Sequence, residues 1–296
     1  MPQPSFYETI EIKTNSTSIN LENDQIEEAK THQGRGIFAR ALVNGNWGFA
    51  SSASQNEDET IKKATKQAKI NQSKNKTKLA QINPLNQEID QETKIDPSKI
   101  SPQQKIELLK EAKEKTQNPS ITNTKFSYSD IKTKFHYKNS QGSDSKYRLT
   151  RTGASAKAVA KEGSELQSAQ ERVYGTKGYE IFEENNFLEK STKLGERAKS
   201  LLDAHTPPSG KLSTILDPEL AGVFIHEAVG HAAEGDLVSM NNSILKDKVG
   251  QKIGNEIVTI KDDPSRKGLF GYYPFDWEGV ESEPTTIVKD GELKIT

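Results

Sequence analysis

There is no cysteine among the 296 residues, so a disulfide framework, a cysteine nucleophile and a thiolate metal ligand from within the chain are all excluded. Charge of one sign is missing as well. The 41 basic residues stand against 42 acidic ones, a formal net charge of -1, which gives no support to a nucleic-acid partner. Apolar residues are scarce: the hydrophobic share is 32% and the mean hydropathy is -0.80, which implies a thin core or one completed by another surface. No apolar run is long enough to cross a bilayer, and MPQPSFYETIEIK has no basic stretch followed by an apolar one. These absences set the expectations of no membrane and a cytoplasmic location. The length suits two ordinary domains.

What is present first reads as β-structure. ETIEIKTN, SINLEN, EEAKTH and IFARALV are short runs of partial alternation between Tyr7 and Ser52, with N-G-N at 44–46 as a hairpin turn before Trp47. A helix with an exposed face follows in DETIKKATKQAKI, with Ile61, Ala64 and Ala68 at helical spacing. From Gln72 to about Asp96 the chain is polar and irregular, a linker or surface excursion. Ser101, Pro102 and Gln104 form a capping-box signature that opens the helix IELLKEAKEK. A second β-rich block runs from Thr122 to Tyr174 as KFSYSD, IKTKFHYKN, KYRLTRT, ASAKAVAKEG and SELQSAQERVY, and another helix spans Asn186 to Ala204. The fold class expected is α+β: two units of largely antiparallel sheet with helices, at 1–72 and 101–205, joined by the polar segment 73–100. Residues 206–296 then carry a strand, LSTIL, and a helix opened by Asp217 as N-cap and Pro218 at the first position.

HEAVGHAAEGD, residues 226–236, places two histidines five apart on that helix, with a glutamate after the first. The common zinc-protease string is H-E-x-x-H. Residues five apart on a regular helix are separated by roughly 140°, so His226 and His231 meet only if the last turn widens to a π-type turn or breaks at Gly230. Neutral imidazoles are good zinc ligands, and a carboxylate beside them can serve as general base, which is the role open to Glu227. Two histidines leave a third ligand to be found. The competing reading is a chance string. His32, His136 and His205 sit in two strands and a loop before proline and carry little weight as ligands.

HEAVGHAAEGD resembles the H-E-x-x-x-H signature of the TldD/PmbA metallopeptidases. GRGIFARALVNGNWGFASS at 34–52, DPELAGVFIHEAVGH at 217–231 and TIKDDPSRKGLFGYYPFDWEGVESEPTTIVKDGEL at 259–293 are similar to further parts of that family. The resemblance implies the TldD type, a zinc-dependent peptidase acting on unfolded or flexible peptides beside a TldE/PmbA-like partner. It also implies zinc on His226 and His231, Glu227 as the catalytic residue, and a cysteine ligand from the family's C-terminal part. The chain departs there, having no cysteine and stopping at KDGELKIT, as an N-terminal portion would. The alternative is a non-catalytic or incomplete interaction subunit that needs another chain to finish the site. Glu234 and Asp236 are the in-chain oxygen donors to weigh, against a reading of E-G-D as a helix stop with Gly235 left-handed and the acids facing solvent or a basic partner. Asp262, Asp263, Asp276 and Glu278 read chiefly as turn formers, with substrate contacts the lesser reading.

Overall fold

In the computed structural model, which describes residues 3–53, 56–71 and 77–295, the short alternating runs merge into strands up to 19 residues long. In chain order these are β1 (Phe6–Glu22), β2 (Gln25–Val43) and β3 (Asn46–Ser52), then helix α1 (Glu57–Ile70) and the short β4 (Glu88–Asp90). Helix α2 (Pro102–Thr116) precedes β5 (Ile121–Asn139), β6 (Asp144–Glu162) and β7 (Glu165–Gly175), and α3 (Ile181–Glu184) and α4 (Phe187–Ser200) close the series. Asn44 and Gly45 take φ of 51° and 75°, as a tight hairpin turn between β2 and β3 requires. Ser101 and Gln104 cap α2 reciprocally.

These strands form one sheet in the order β3-β2-β1-β5-β6-β4, with β7 also on β6, and every pairing is antiparallel except β4 with β6. The fold is therefore α+β with a largely antiparallel sheet. The two β-rich blocks of the sequence are continuous through the β1–β5 ladder. Residues 87–91 run beside β6, with Gln87 and Gln91 hydrogen-bonded to it and β4 paired with it; the sequence's polar segment also includes 72–76, which lie outside the described residues.

The alternation looked broken because the long strands are buried on opposite faces at their two ends. On β5, Phe126, Tyr128 and Asp130 are buried toward α2 and α4, whereas Phe135 and Tyr137 are buried on the other side. Ile10 against Ile19 and Leu21 on β1, and Tyr147 and Leu149 against Ala154 to Ala160 on β6, show the same change of phase. The opposite face is covered by residues 266–281, which pack with this sheet. Phe275 is fully buried against Phe135 and Tyr147, and Arg151 donates to the carbonyls of Phe270 and Tyr272. Glu278 sits in the turn its sequence context suggested, and its carboxylate also pairs with Arg40 at 2.7 Å, a tertiary contact the sequence did not show. Arg40 also pairs with buried Glu8, whose carboxyl burial pushes up against the pull of Arg40 and the Tyr137 hydroxyl.

The chain divides into two compact units, 1–205 with 266–281, and 206–265 with 282–296. The second has its own small antiparallel sheet of β8 (Ile260–Asp262), β9 (Thr285–Lys289) and β10 (Glu292–Leu293), with Leu245, Val288 and Leu293 buried. Leu212–Leu216 is not the strand expected from its apolar run. It has no ladder partner among the described residues, and Ile215 is fully exposed. No helix among the described residues is long and apolar enough to cross a membrane.

Candidate metal centre

The Asp217 carboxylate accepts the Leu220 N–H at 2.8 Å, and Pro218 takes the first position of α5 (Pro218–Ile225). The helix then widens. His226–Gly230 is a π-helical turn in which the His231 N–H donates to the His226 carbonyl five residues back. A 3-10 turn, His231–Ala233, follows, and the helix stops at Glu234, whose backbone is extended, before the short α6 (Gly235–Ser239). Gly235 is not left-handed, so the stop comes one residue earlier and by another means than the sequence suggested. Val229, Ala232 and Ala233 pack on the core of the small sheet, which anchors one side of the widened turn.

The widening brings the two imidazoles together, with ring centroids 4.3 Å apart. Gly230 is right-handed, at φ -53°, so its contribution is space: a Cβ there would stand 3.2 Å from His226 Nδ1. Glu227 Oε2 lies 3.8 Å from His231 Nε2, too far for a hydrogen bond. Two ligands on one tetrahedral zinc would be separated by about 3.4 Å. Donor atoms of His226, Glu227 and His231 all lie within 4.8 Å of one another, and this is the metal-capable group found among the described residues. All three side chains are exposed.

Glu234 accepts a hydrogen bond from His231 Nδ1 at 2.7 Å. A carboxylate on Nδ1 fixes that proton and leaves the Nε2 lone pair free for a metal, an arrangement common around metal-bound histidines. The H-x-x-E spacing from His231 to Glu234 is the sequence signal for this pair. Asp236 instead accepts the Leu237 N–H and lies outside the group. His136 bonds Asp144 in the large sheet, away from any such cluster.

An open cleft of about 600 Å³ adjoins His226. Ile225, His226, Gly230 and Glu234 line one side, and Ile260, Asp262 and Ile287 the other. Asp262 belongs to a strand at the cleft and not to a turn. Asp263 does form a turn with Ser265, and Asp276 accepts the Glu278 and Val280 N–H groups. Outside this packing α5 is bare: Leu220, Val223 and Phe224 are each more than half exposed.

Three family models, described as PmbA/TldA metallopeptidase domain 1, central domain and C-terminal domain, match residues 7–71, 95–202 and 209–295. The chain is 39% identical over 284 residues to a metalloprotease of Methanocaldococcus jannaschii, covering 94% of this chain and 62% of that protein. It is 35% identical over 290 residues to a metalloprotease of Archaeoglobus fulgidus, covering 98% and 66%. To a zinc metalloprotease TldD homolog of Saccharolobus solfataricus it is 29% identical over 267 residues, covering 88% and 57%. It thus spans less than two thirds of the length of these relatives. A DNA gyrase modulator protein from Thermotoga maritima shares the fold with a TM-score of 0.78 at 21% identity, over 98% of this chain and 66% of that one. TldE from Thermococcus kodakarensis does so with a TM-score of 0.74 at 19% identity, over 98% and 66%.

Proposed function

Because the chain belongs to the PmbA/TldA metallopeptidase family, we propose that it is a zinc-dependent peptidase of the TldD type, cleaving unfolded or flexible peptides beside a TldE/PmbA-like partner. The observation that carries this reading is the π turn, which sets His226 and His231 side by side with Glu227 between them in sequence. The donor set fits zinc: two imidazoles, one oriented by Glu234, within reach of a carboxylate. In this reading His226 and His231 would hold the ion, together with a further ligand. Zinc bound there supplies Lewis acidity, bringing the pKa of a water toward neutrality and polarising the scissile carbonyl. Glu227 takes the proton from the attacking water and delivers it to the departing amine, so the carboxylate ends the cycle as it began. The open cleft, with isoleucines on its sheet side, suits an extended peptide better than a folded domain.

Two observations favour a second reading, in which the chain is an incomplete interaction subunit. The helix that presents the histidines leaves Leu220, Val223 and Phe224 in solvent, and no cysteine is available within the chain to act as the ligand that the family resemblance implies. Zinc titration followed by peptide hydrolysis distinguishes the two. Equimolar zinc with chelator-sensitive cleavage supports the peptidase. A chain that holds no zinc at micromolar concentration yet binds a TldE/PmbA-like protein supports the subunit reading.

A further inference from the structure

Helix α5 has two unlike sides. Leu220 and Phe224 lie on one, and Gly222 falls on the other, between Ile225 and His226 on the 3.6-residue repeat. Gly222 stands inside the helix, where glycine is among the least favoured residues. Its backbone is right-handed, so no left-handed φ calls for it. No close neighbour calls for it either: a Cβ at Gly222 would meet nothing within 4 Å, whereas one at Gly230 would stand 3.2 Å from His226 Nδ1. What the glycine does is keep open the part of the cleft that adjoins His226. The walls there are aliphatic: Ile225 comes from the same helix, and Ile260 and Ile287 from the facing strands β8 and β9. The charges beside them leave no net sign to select a charged group. Glu234 is engaged by His231 Nδ1, and Lys261 and Asp262 are neighbours of opposite sign.

We propose that Gly222 sets the specificity of the centre: the space it keeps beside His226 receives a large aliphatic or aromatic side chain of the peptide, next to the bond to be cleaved. The inference rests on the peptidase reading and names the substrate class for it. Successive side chains of an extended peptide point to opposite sides, so a peptide crossing the cleft brings one side chain toward the helix within a residue or two of the scissile bond. At Gly222 that side chain meets no obstacle, and setting it against the isoleucines removes apolar surface from water on both partners. A methyl group would leave most of that surface wet, and a charged group would lose water without gaining a partner. Bulk at position 222 therefore competes with bulk on the substrate.

The experiment is a fluorescence-anisotropy titration of the 296-residue chain, zinc-free so that no peptide is cleaved. The probes are labelled hexapeptides that differ at one central residue, which is Leu, Phe, Ala, Asp or Lys. The Leu and Phe peptides are expected to bind saturably and about tenfold or more tighter than the others. Gly222→Leu should weaken those two about tenfold or more, level with the Ala peptide, and Gly222→Ala should weaken them by less. Leu220→Phe, which adds bulk on the other side of the helix, should change none of the affinities. Leucine and alanine are better helix formers than glycine, so both Gly222 variants should hold or raise the thermal midpoint, which separates lost affinity from a lost fold. Equal affinity of the Leu and Ala peptides for the parent would overturn the proposal. Equal affinity of the Gly222→Leu variant and the parent for the Leu peptide, or no binding of any peptide at millimolar concentration, would do the same. Cleavage by the zinc-loaded chain without regard to that side chain would overturn it too and leave the peptidase reading in place. The expected binding preference in a chain that neither takes up zinc nor cleaves would uphold the pocket and remove the peptidase reading.

Discussion

Glu227 and Glu234 are carboxylates seven residues apart that the geometry sets to different tasks, and substitution should separate them. Glu227→Gln removes a proton acceptor but neither imidazole, so zinc should stay bound while peptide hydrolysis falls by about 100-fold or more; equal turnover by variant and parent would remove Glu227 from its assigned role. Glu234→Ala releases His231 Nδ1 and should weaken zinc about 10- to 100-fold, measured by competition with a chromophoric chelator. Unchanged affinity would mean that Glu234 only ends the helix. A third carboxylate reports on stability. Burial opposes ionisation of Asp96, but Lys132 and the Ser98 N–H and hydroxyl outweigh it and hold its carboxyl at about 2, below the ordinary 3.8. A depressed carboxylate contributes stability that is present above 3.8 and lost as pH falls through about 2. Asp96→Asn should therefore be less stable than the parent at neutral pH, with the gap closing as acid is added through that window, as followed by circular dichroism.

At the scale of the element, the widened turn is the feature on which the centre depends. Five-residue spacing on a regular helix would turn His231 away from His226, and the sequence alone showed that a wide turn or a break near Gly230 was needed for the two to meet. The π turn supplies it, with the histidines joined by the hydrogen bond that defines the turn. What the sequence could not supply was the reason for glycine, which is the close approach of the His226 ring and not an unusual φ. Gly230→Val should push that ring aside and lower zinc affinity, measured by the same competition assay; an unaltered affinity would show that the turn has room for a side chain. Caps, hairpin turn and helices were legible because each depends on residues within one turn of chain. Leu212–Leu216 departs from the strand its sequence predicts because an apolar run says only that burial is wanted, and a strand also needs a partner edge.

For the whole molecule, residues 266–281 are the least local feature. They complete the far face of the large sheet from a stretch more than a hundred residues beyond β6, with Phe275 packed edge-on against the stacked rings of Phe135 and Tyr147. Phe275→Ala should cost about 3–5 kcal/mol of the first unit's stability. Urea unfolding read by tryptophan fluorescence measures it, since Trp47 and Trp277 both lie in that unit; a loss below about 1 kcal/mol would mean that the segment is not part of the core.

By itself the sequence determined the class of fold, the start of α5 at Asp217 and Pro218, the need for a distorted turn between His226 and His231, and the family that the histidine motif resembles. All of these rest on propensities and spacings that act over a few residues. Tertiary structure alone decided that the β-rich blocks share one sheet and that long strands exchange their buried face midway. Register between strands is set by pairing across tens to more than a hundred residues, and alternation within any one strand carries no record of which partner it will meet.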